Sequence, residues 1–457
     1  MYDVAIIGGG PGGYAAALYA HNFGLSVALV EKDRVGGTCL LRGCIPAKSW
    51  LQTAHVFSTV RRAAEFGVVS DEPKMDWLRA LERKNSVVDG LVKGLSGLLA
   101  ARGVDVIDGL GRLSHEGGVD VVYGDDTTGH LETANVILAM GSVPRTIPGY
   151  EIDGRQVITS DEALDWENQP GRVAIIGAGA IGSEFASLLG DMGSEVWLFE
   201  MFDQVVPGLE PDAAKILARE LKKKGVSVHT GVQVGEPEKS ESGVTIPYGG
   251  DSVTVDVALV AVGRAPVSDN ANLEGSGVVV DKGFVVTDLE TMLTGRPGVY
   301  AVGDIVAGTP QLAHAGFAEG IAAITHMATG GVAPVDYRAV PLVVYTDPEI
   351  ASVGLTEAKA REAGYDVEVS SHGMRGVGRA IIQGETGGLV KVVAEKEGPI
   401  LGATVVGPGA GEMIHELMYT VAWEALPAEA AALIHAHPTV AEAIGETLLS
   451  AAGRSLH

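Results

Sequence analysis

Val4-Ala5-Ile6-Ile7-Gly8-Gly9-Gly10-Pro11-Gly12-Gly13 opens this 457-residue chain, and Val173-Ala174-Ile175-Ile176-Gly177-Ala178-Gly179-Ala180-Ile181-Gly182 repeats it in the middle. Each is an apolar run of strand length followed by G-x-G-x-x-G, an Ala/Leu-rich helical stretch, and a second apolar run ending in glutamate. Glu31 follows Gly8, and Glu200 follows Gly177, at the same 23-residue distance. This strand–turn–helix–strand context is what a dinucleotide fingerprint requires. The first glycine (Gly8, Gly177) makes the tight turn. The second (Gly10, Gly179) lets backbone approach a pyrophosphate, and the third (Gly13, Gly182) lets helix pack on strand. The helix N-terminus offers unsatisfied N–H groups to phosphate. The closing carboxylate accepts hydrogen bonds from ribose hydroxyls and repels a 2′-phosphate, so Glu200 favours NAD over NADP. Two such units predict two dinucleotides on one α/β chain.

Length and composition agree with a folded multidomain protein. A chain of 457 residues is longer than one hydrophobic core normally organises, so two to four domains are expected. Hydrophobic residues at 46% and charged residues at 20% are an ordinary folded composition. The net charge of −25 argues against a nucleic-acid partner or an anionic membrane surface. No run approaches the ~18 apolar residues of a membrane span. Met1-Tyr2-Asp3 enters the first apolar run with no basic segment before it, so no signal peptide is expected and the expected compartment is the cytoplasm.

The only two cysteines, Cys39 and Cys44, stand five positions apart in Gly36-Gly-Thr-Cys-Leu-Leu-Arg-Gly-Cys-Ile-Pro-Ala-Lys48. A close pair in a large chain without secretory features reads as redox or metal chemistry. Two thiolates make a poor zinc site, and no His or Cys lies nearby in sequence to complete one, so no metal is expected. The plain alternative is a pair of small buried hydrophobes. If the segment is helical, residues five apart are more than a turn apart, and a disulfide needs Cα atoms within about 4.4–6.8 Å, so a distorted turn is expected between them.

Taken together, the sequence resembles the pyridine nucleotide–disulfide oxidoreductases over essentially its whole length, and within them the dihydrolipoamide dehydrogenases. The resemblance rests on both fingerprints, the redox segment, Val262-Gly263-Arg264, Val299-Tyr-Ala-Val-Gly-Asp304, Leu312-Ala313-His314 and His435-Ala-His-Pro-Thr-Val-Ala-Glu442. It implies an FAD-binding part over residues 1–144 and 267–337, an NAD-binding domain over 145–266, and a C-terminal α+β dimerisation domain over 338–457. Pro144, Pro148, Pro266 and Pro341 lie close to these boundaries. By family position Gly8, Gly10, Gly13, Glu31, Lys48, Gly111, Gly141, Ser142, Asp304 and Ala313 would hold FAD. Gly177, Gly179, Gly182, Glu184, Glu200, Val232 and Gly263 would hold NAD.

The same resemblance implies a chemistry. Cys44 would face the flavin as the charge-transfer thiolate, and Cys39 would exchange with substrate. Lys48 would lie against the flavin ring and pair with Glu184 beneath the nicotinamide; its plain alternative is a solvated helix lysine. An exchanging thiol needs a base, and His437 oriented by Glu442 is the candidate. His435 is also available, and Glu442 could instead be a charge in the first turn of the terminal helix. His415 and His314 read as structural or substrate-lining. The base lies almost 400 residues from the thiols, and in the family it serves the other subunit of a homodimer. Partners would be lipoylated proteins of 2-oxo acid dehydrogenase complexes or the glycine cleavage system.

Two departures stand out: Met140 replaces the threonine common before Gly141-Ser142, and Leu41-Arg42 replaces the more frequent Asn-Val between the cysteines. Arg42 places a cation beside the thiols or points to solvent. Disulfide reductases of the glutathione or mycothiol type remain an alternative, but they usually carry basic residues for NADPH where this chain reads Phe199-Glu200-Met201-Phe202-Asp203. A mercuric reductase would need a C-terminal cysteine pair. A flavin-dependent quinone or oxygen reductase that never uses the thiols and a non-enzymatic binding role are the remaining rivals.

Overall fold

The computed structural model describes residues 1–269 and 271–456. It divides into two compact units, one made of Met1–Trp50, Leu78–Arg145 and Arg264–Tyr337, the other of Leu51–Trp77, Thr146–Gly263 and the chain from Arg338 onward.

The first unit is built on a five-stranded, wholly parallel sheet in the order Val299–Ala301, Thr133–Leu138, Tyr2–Ile7, Val27–Glu31, Asp105–Asp108. The apolar run at the chain start forms its central strand. Side chains alternate across a strand, so Val4 and Ile6 enter one core while Ala5 and Ile7 enter another on the opposite face. Helices Pro11–Ala20 and Ala313–Thr329 pack together beside this sheet, the former burying Ala16, Ala17 and Ala20. A three-stranded antiparallel sheet (Leu110–Leu113, Val119–Val122, Thr128–Leu131) is added, and Ser142–Pro144 pairs antiparallel with Arg264–Pro266.

The second unit repeats the parallel motif in the order Ser227–His229, Glu195–Phe199, Arg172–Ile176, Val257–Val260, Val157–Ile158. It also contains a five-stranded antiparallel sheet in the order Leu342–Val344, Ile350–Gly354, Ile400–Val406, Leu389–Glu395, Val367–Gly373. Helices Ala410–Ala422 and Glu442–Ala451 cover that sheet and close a core that includes Val390, Val392, Val405, Ile414, Leu417, Ile444 and Leu448. The expected α/β architecture, two dinucleotide-type folds and a C-terminal α+β domain, is therefore present. No helix among the described residues is long and apolar enough to cross a membrane.

Candidate redox active site

The two glycine turns are superposable in their logic. A Cβ on Gly13 would stand 1.9 Å from the Gly8 carbonyl oxygen, and one on Gly182 1.9 Å from that of Gly177. The fold itself forbids a side chain there. The middle glycines differ: a Cβ on Gly179 would meet nothing within 4 Å, and one on Gly10 would meet only Gly37 Cα at 3.8 Å. Both have negative φ, −67° and −74°, which any residue adopts. The fold does not require glycine at these two positions, so the open space in front of each turn suits a group from outside the chain. Gly10 and Gly179 also cap helices Pro11–Ala20 and Ala180–Met192, and neither helix has a side-chain cap or an acidic residue in its first turn. A helix N-terminus without a side-chain cap, facing open space with its positive dipole end, fits a pyrophosphate.

The closing carboxylates are held alike. Glu31 accepts from Gly9 N at 2.7 Å and Asp33 N at 2.9 Å; Glu200 accepts from Ala178 N at 2.8 Å and Phe202 N at 3.1 Å. Around the second turn, Val232 donates its N–H to the Glu200 carbonyl at 2.9 Å, and Gly263 adopts φ +111° with nothing near its Cβ direction. Glu184 is buried on its helix and accepts from Tyr345 N at 3.0 Å. Around the first turn, Gly111 lies over Ile7 and Val30, where a Cβ would come within 3.0 Å of Ile7.

The redox segment starts directly on the first glycine turn. Gly36 donates its N–H to Gly9 O at 2.8 Å, and Gly37, at φ +57°, comes so close that a Cβ would stand 2.5 Å from Gly10 Cα. Helix Gly37–Arg42 carries Cys39, and helix Cys44–Arg61 begins with the second cysteine. Between them Gly43 breaks the helix at φ −143°, ψ −110°, which is the distorted turn that five-residue spacing demands. Cys39 is half-buried and Cys44 exposed. The hydrogen bond to Cys44 and burial push the Cys39 thiol well above the usual range, while the Lys48 ammonium pulls against them. Arg42 does not serve the thiols: its guanidinium pairs with the Asp33 carboxylate.

Asp304 and Ser142 come together although 162 positions separate them, the Ser142 hydroxyl donating to Asp304 Oδ2 at 2.5 Å. Arg264 Nε donates to the same hydroxyl at 2.7 Å. Ser142 follows Gly141, whose φ of +70° makes the turn, and Ala313 opens helix Ala313–Thr329. Met140 packs against the sheet core, so the turn is kept without the family's hydroxyl.

The C-terminal histidines each have a carboxylate. His437 Nδ1 lies 2.7 Å from Glu442 Oε1, and His435 Nε2 lies 2.7 Å from Glu416 Oε1. Exposure separates them. The His437 side chain is 79% exposed and His435 only 13%. His435 is tucked against Gly445, where a Cβ would stand 2.7 Å from its Nδ1. His415 Nδ1 lies 3.3 Å from the Glu412 carbonyl oxygen. Sequence reasoning missed Glu416 as a partner because it lies one residue from a histidine that attracted attention for itself, while its contact is with a residue 19 positions on.

Residues 2–320 match the family model described as pyridine nucleotide-disulphide oxidoreductase, and residues 340–448 match that family's dimerisation domain. The chain belongs to the pyridine nucleotide-disulphide oxidoreductase family. Among members of the family, a dihydrolipoyl dehydrogenase of Bacillus subtilis is 38% identical over all of this chain and 99% of its own length. The mitochondrial dihydrolipoyl dehydrogenase of Pisum sativum is 36% identical over 100% and 92%, and a leghemoglobin reductase of Glycine max is 37% identical over 98% and 87%. The crystal structure of LpdA from Mycobacterium tuberculosis superposes with a TM-score of 0.91 at 26% identity, covering 98% of this chain and 99% of that one. The flavoprotein disulfide reductase RclA of Escherichia coli, solved as a Cu(II) complex, gives 0.88 at 26% identity over 98% of each.

Proposed function

We propose that this chain oxidises protein-bound dihydrolipoamide to lipoamide, with FAD at the first glycine turn and NAD⁺ at the second. The observation that carries this is the seating of Cys39 and Cys44, in contact with each other, on a segment that begins against Gly9 and Gly10. A thiol pair fixed beside a nucleotide turn joins dithiol chemistry to a bound cofactor.

In the oxidised enzyme the cysteines form a disulfide. A substrate thiolate attacks Cys39 Sγ, the Cys39–Cys44 bond breaks, and Cys44 leaves as a thiolate. The second substrate thiol gives its proton to His437 and attacks the substrate sulfur of the mixed disulfide, forming lipoamide and releasing Cys39. Two electrons have then moved from substrate to the cysteine pair. Gly8, Gly10, Gly13, Glu31, Gly111, Gly141, Ser142, Asp304 and Ala313 would hold FAD, which would supply two-electron transfer between the cysteine pair and NAD⁺. By the family resemblance Lys48 would serve the flavin and Glu184 the nicotinamide, and Gly177, Gly179, Gly182, Glu200, Val232 and Gly263 would seat the NAD. Glu200 selects against a 2′-phosphate.

The working form is a homodimer in which His437 serves the thiols of the other subunit. Its 79% exposure, on the domain that matches the family's dimerisation model, supports this. Exposed Ile434, Leu433, Trp423 and Tyr419 on the same domain supply an apolar surface to bury. The expected domain limits at 144, 266 and 338, lipoylated complex components as partners, and a cytoplasmic location where NAD is at hand complete the reading. The test is a substrate panel: anaerobic NAD⁺ and NADP⁺ reduction by dihydrolipoamide, against NADH- and NADPH-driven reduction of glutathione and mycothiol disulfides. Fast, NAD⁺-specific turnover with dihydrolipoamide alone is the expected result. Preferred reduction of another disulfide would overturn the substrate.

A further inference from the structure

Arg264 stands where three parts of the first unit meet. It lies in the strand Arg264–Pro266, paired with Ser142–Pro144. Its side chain is only 14% exposed, so a buried cation must find acceptors. It finds them on one residue twice over: Nε donates to the Ser142 hydroxyl at 2.7 Å, and Nη2 to the Ser142 carbonyl at 2.7 Å. Nη2 also reaches the Thr38 hydroxyl at 3.4 Å, and Thr38 is the residue immediately before Cys39. Ser142 in turn donates to Asp304 at 2.5 Å, while Arg264 itself stays 3.9 Å from that carboxylate. The planar fork of a guanidinium fixes direction as well as distance, which a lysine cannot do.

We infer that Arg264 is a positioning residue for the redox centre, setting the placement of the Cys39–Cys44 segment relative to Asp304 and the flavin that Asp304 holds. Thr38 ties the fork to the helix bearing Cys39, and Ser142 ties it to Asp304. Arg264 does not touch the reacting sulfurs; it acts through Thr38 and Ser142. The inference rests on the proposed flavin–dithiol function.

The experiment compares wild type, Arg264→Met and Arg264→Lys as purified holoenzymes. Four readouts are taken: FAD content, NADH–ferricyanide turnover, thiolate-to-flavin charge-transfer absorbance after two-electron reduction, and dihydrolipoamide–NAD⁺ turnover. Misplacing the thiols without losing the flavin should leave FAD content and ferricyanide turnover within about twofold of wild type. Charge-transfer absorbance should fall in Arg264→Met, and dihydrolipoamide turnover should drop about tenfold to a hundredfold, with Arg264→Lys in between. Unchanged charge-transfer absorbance, or loss of FAD with equal loss of both activities, would overturn the inference. If wild type fails to turn over dihydrolipoamide, the proposed substrate is wrong. The charge-transfer comparison after NADH reduction still decides the role of Arg264.

Discussion

His437 Nδ1 and Glu442 Oε1 lie 2.7 Å apart, and the second oxygen of the same carboxylate accepts the Thr439 N–H at 2.9 Å. The hydrogen bond from His437, then that from Thr439, holds the Glu442 carboxyl below its usual range, so it is ionised throughout the neutral region. An ionised carboxylate can only accept, so Nδ1 carries the proton and Nε2 is left as the basic nitrogen.

Replacing His437 by Gln should therefore lower dihydrolipoamide–NAD⁺ turnover by about 10²–10⁴-fold, the span of general-base catalysis. NADH–ferricyanide turnover, which needs no thiol proton transfer, should remain. Glu442→Gln keeps a hydrogen-bonding side chain but no charge, and its loss should be smaller. Steady-state rates with both electron acceptors check this.

His435 behaves differently because its own ring is buried beside the Glu416 carboxylate. The hydrogen bond to Glu416 raises its pKa, with burial opposing and the charges of Glu416 and Glu442 assisting. A raised folded-state pKa stabilises the protein fully below the unfolded value of about 6.5, and the contribution is lost as pH rises through the folded value. The Tm difference between wild type and His435→Gln should thus be larger at pH 6 than at pH 9. Turnover of the variant at neutral pH should stay near wild type. A gap that widens with pH would contradict the assignment.

The glycines separate fold from ligand. A methyl at Gly182 collides with the Gly177 carbonyl at 1.9 Å, whereas one at Gly179 meets nothing within 4 Å. Gly182→Ala should lower Tm markedly. Gly179→Ala should leave Tm almost unchanged yet raise KM for NAD⁺ about tenfold or more, since its methyl occupies the pyrophosphate's approach. Thermal melts and NAD⁺ titrations on the two variants distinguish the cases.

The contrast between those glycines shows what the sequence can carry. Gly8, Gly13, Gly177 and Gly182 announce their turns because the steric demand is local and the spacing fixed. Glu31 and Glu200 follow from the same spacing. The break at Gly43 was legible because five residues of helix cannot bring two thiols together. Side-chain pairings that no fixed spacing dictates left no such signal. Arg42 was read as beside the thiols or in solvent, and it pairs with Asp33 on a neighbouring loop. The hold of Arg264 on Ser142 depends on two strands meeting across 122 positions. His435 and His437 stand two positions apart, and burial separates the candidate that the resemblance favours from its neighbour.

The buried lysine of the second unit is another partnership that sequence spacing does not reveal. Lys391 Nζ lies 2.8 Å from Glu210 and 3.1 Å from Glu357, and Lys391 and Glu210 are only 6% and 3% exposed. Removing one member of a buried pair strands the other charge, at a cost of about 3–5 kcal/mol. Lys391→Met should lower the urea midpoint accordingly, and Lys391→Met with Glu210→Met should recover part of the loss.

The central claim is that the electron pair passes through Cys39 and Cys44. It is tested most directly by anaerobic stopped-flow mixing of holoenzyme with dihydrolipoamide and NAD⁺, comparing wild type with Cys44→Ser. The account predicts rapid NADH formation in wild type. In Cys44→Ser that formation should be abolished, with bound FAD and NADH–ferricyanide turnover retained. Full dihydrolipoamide–NAD⁺ turnover in Cys44→Ser would show that the thiols are bypassed and would contradict the account.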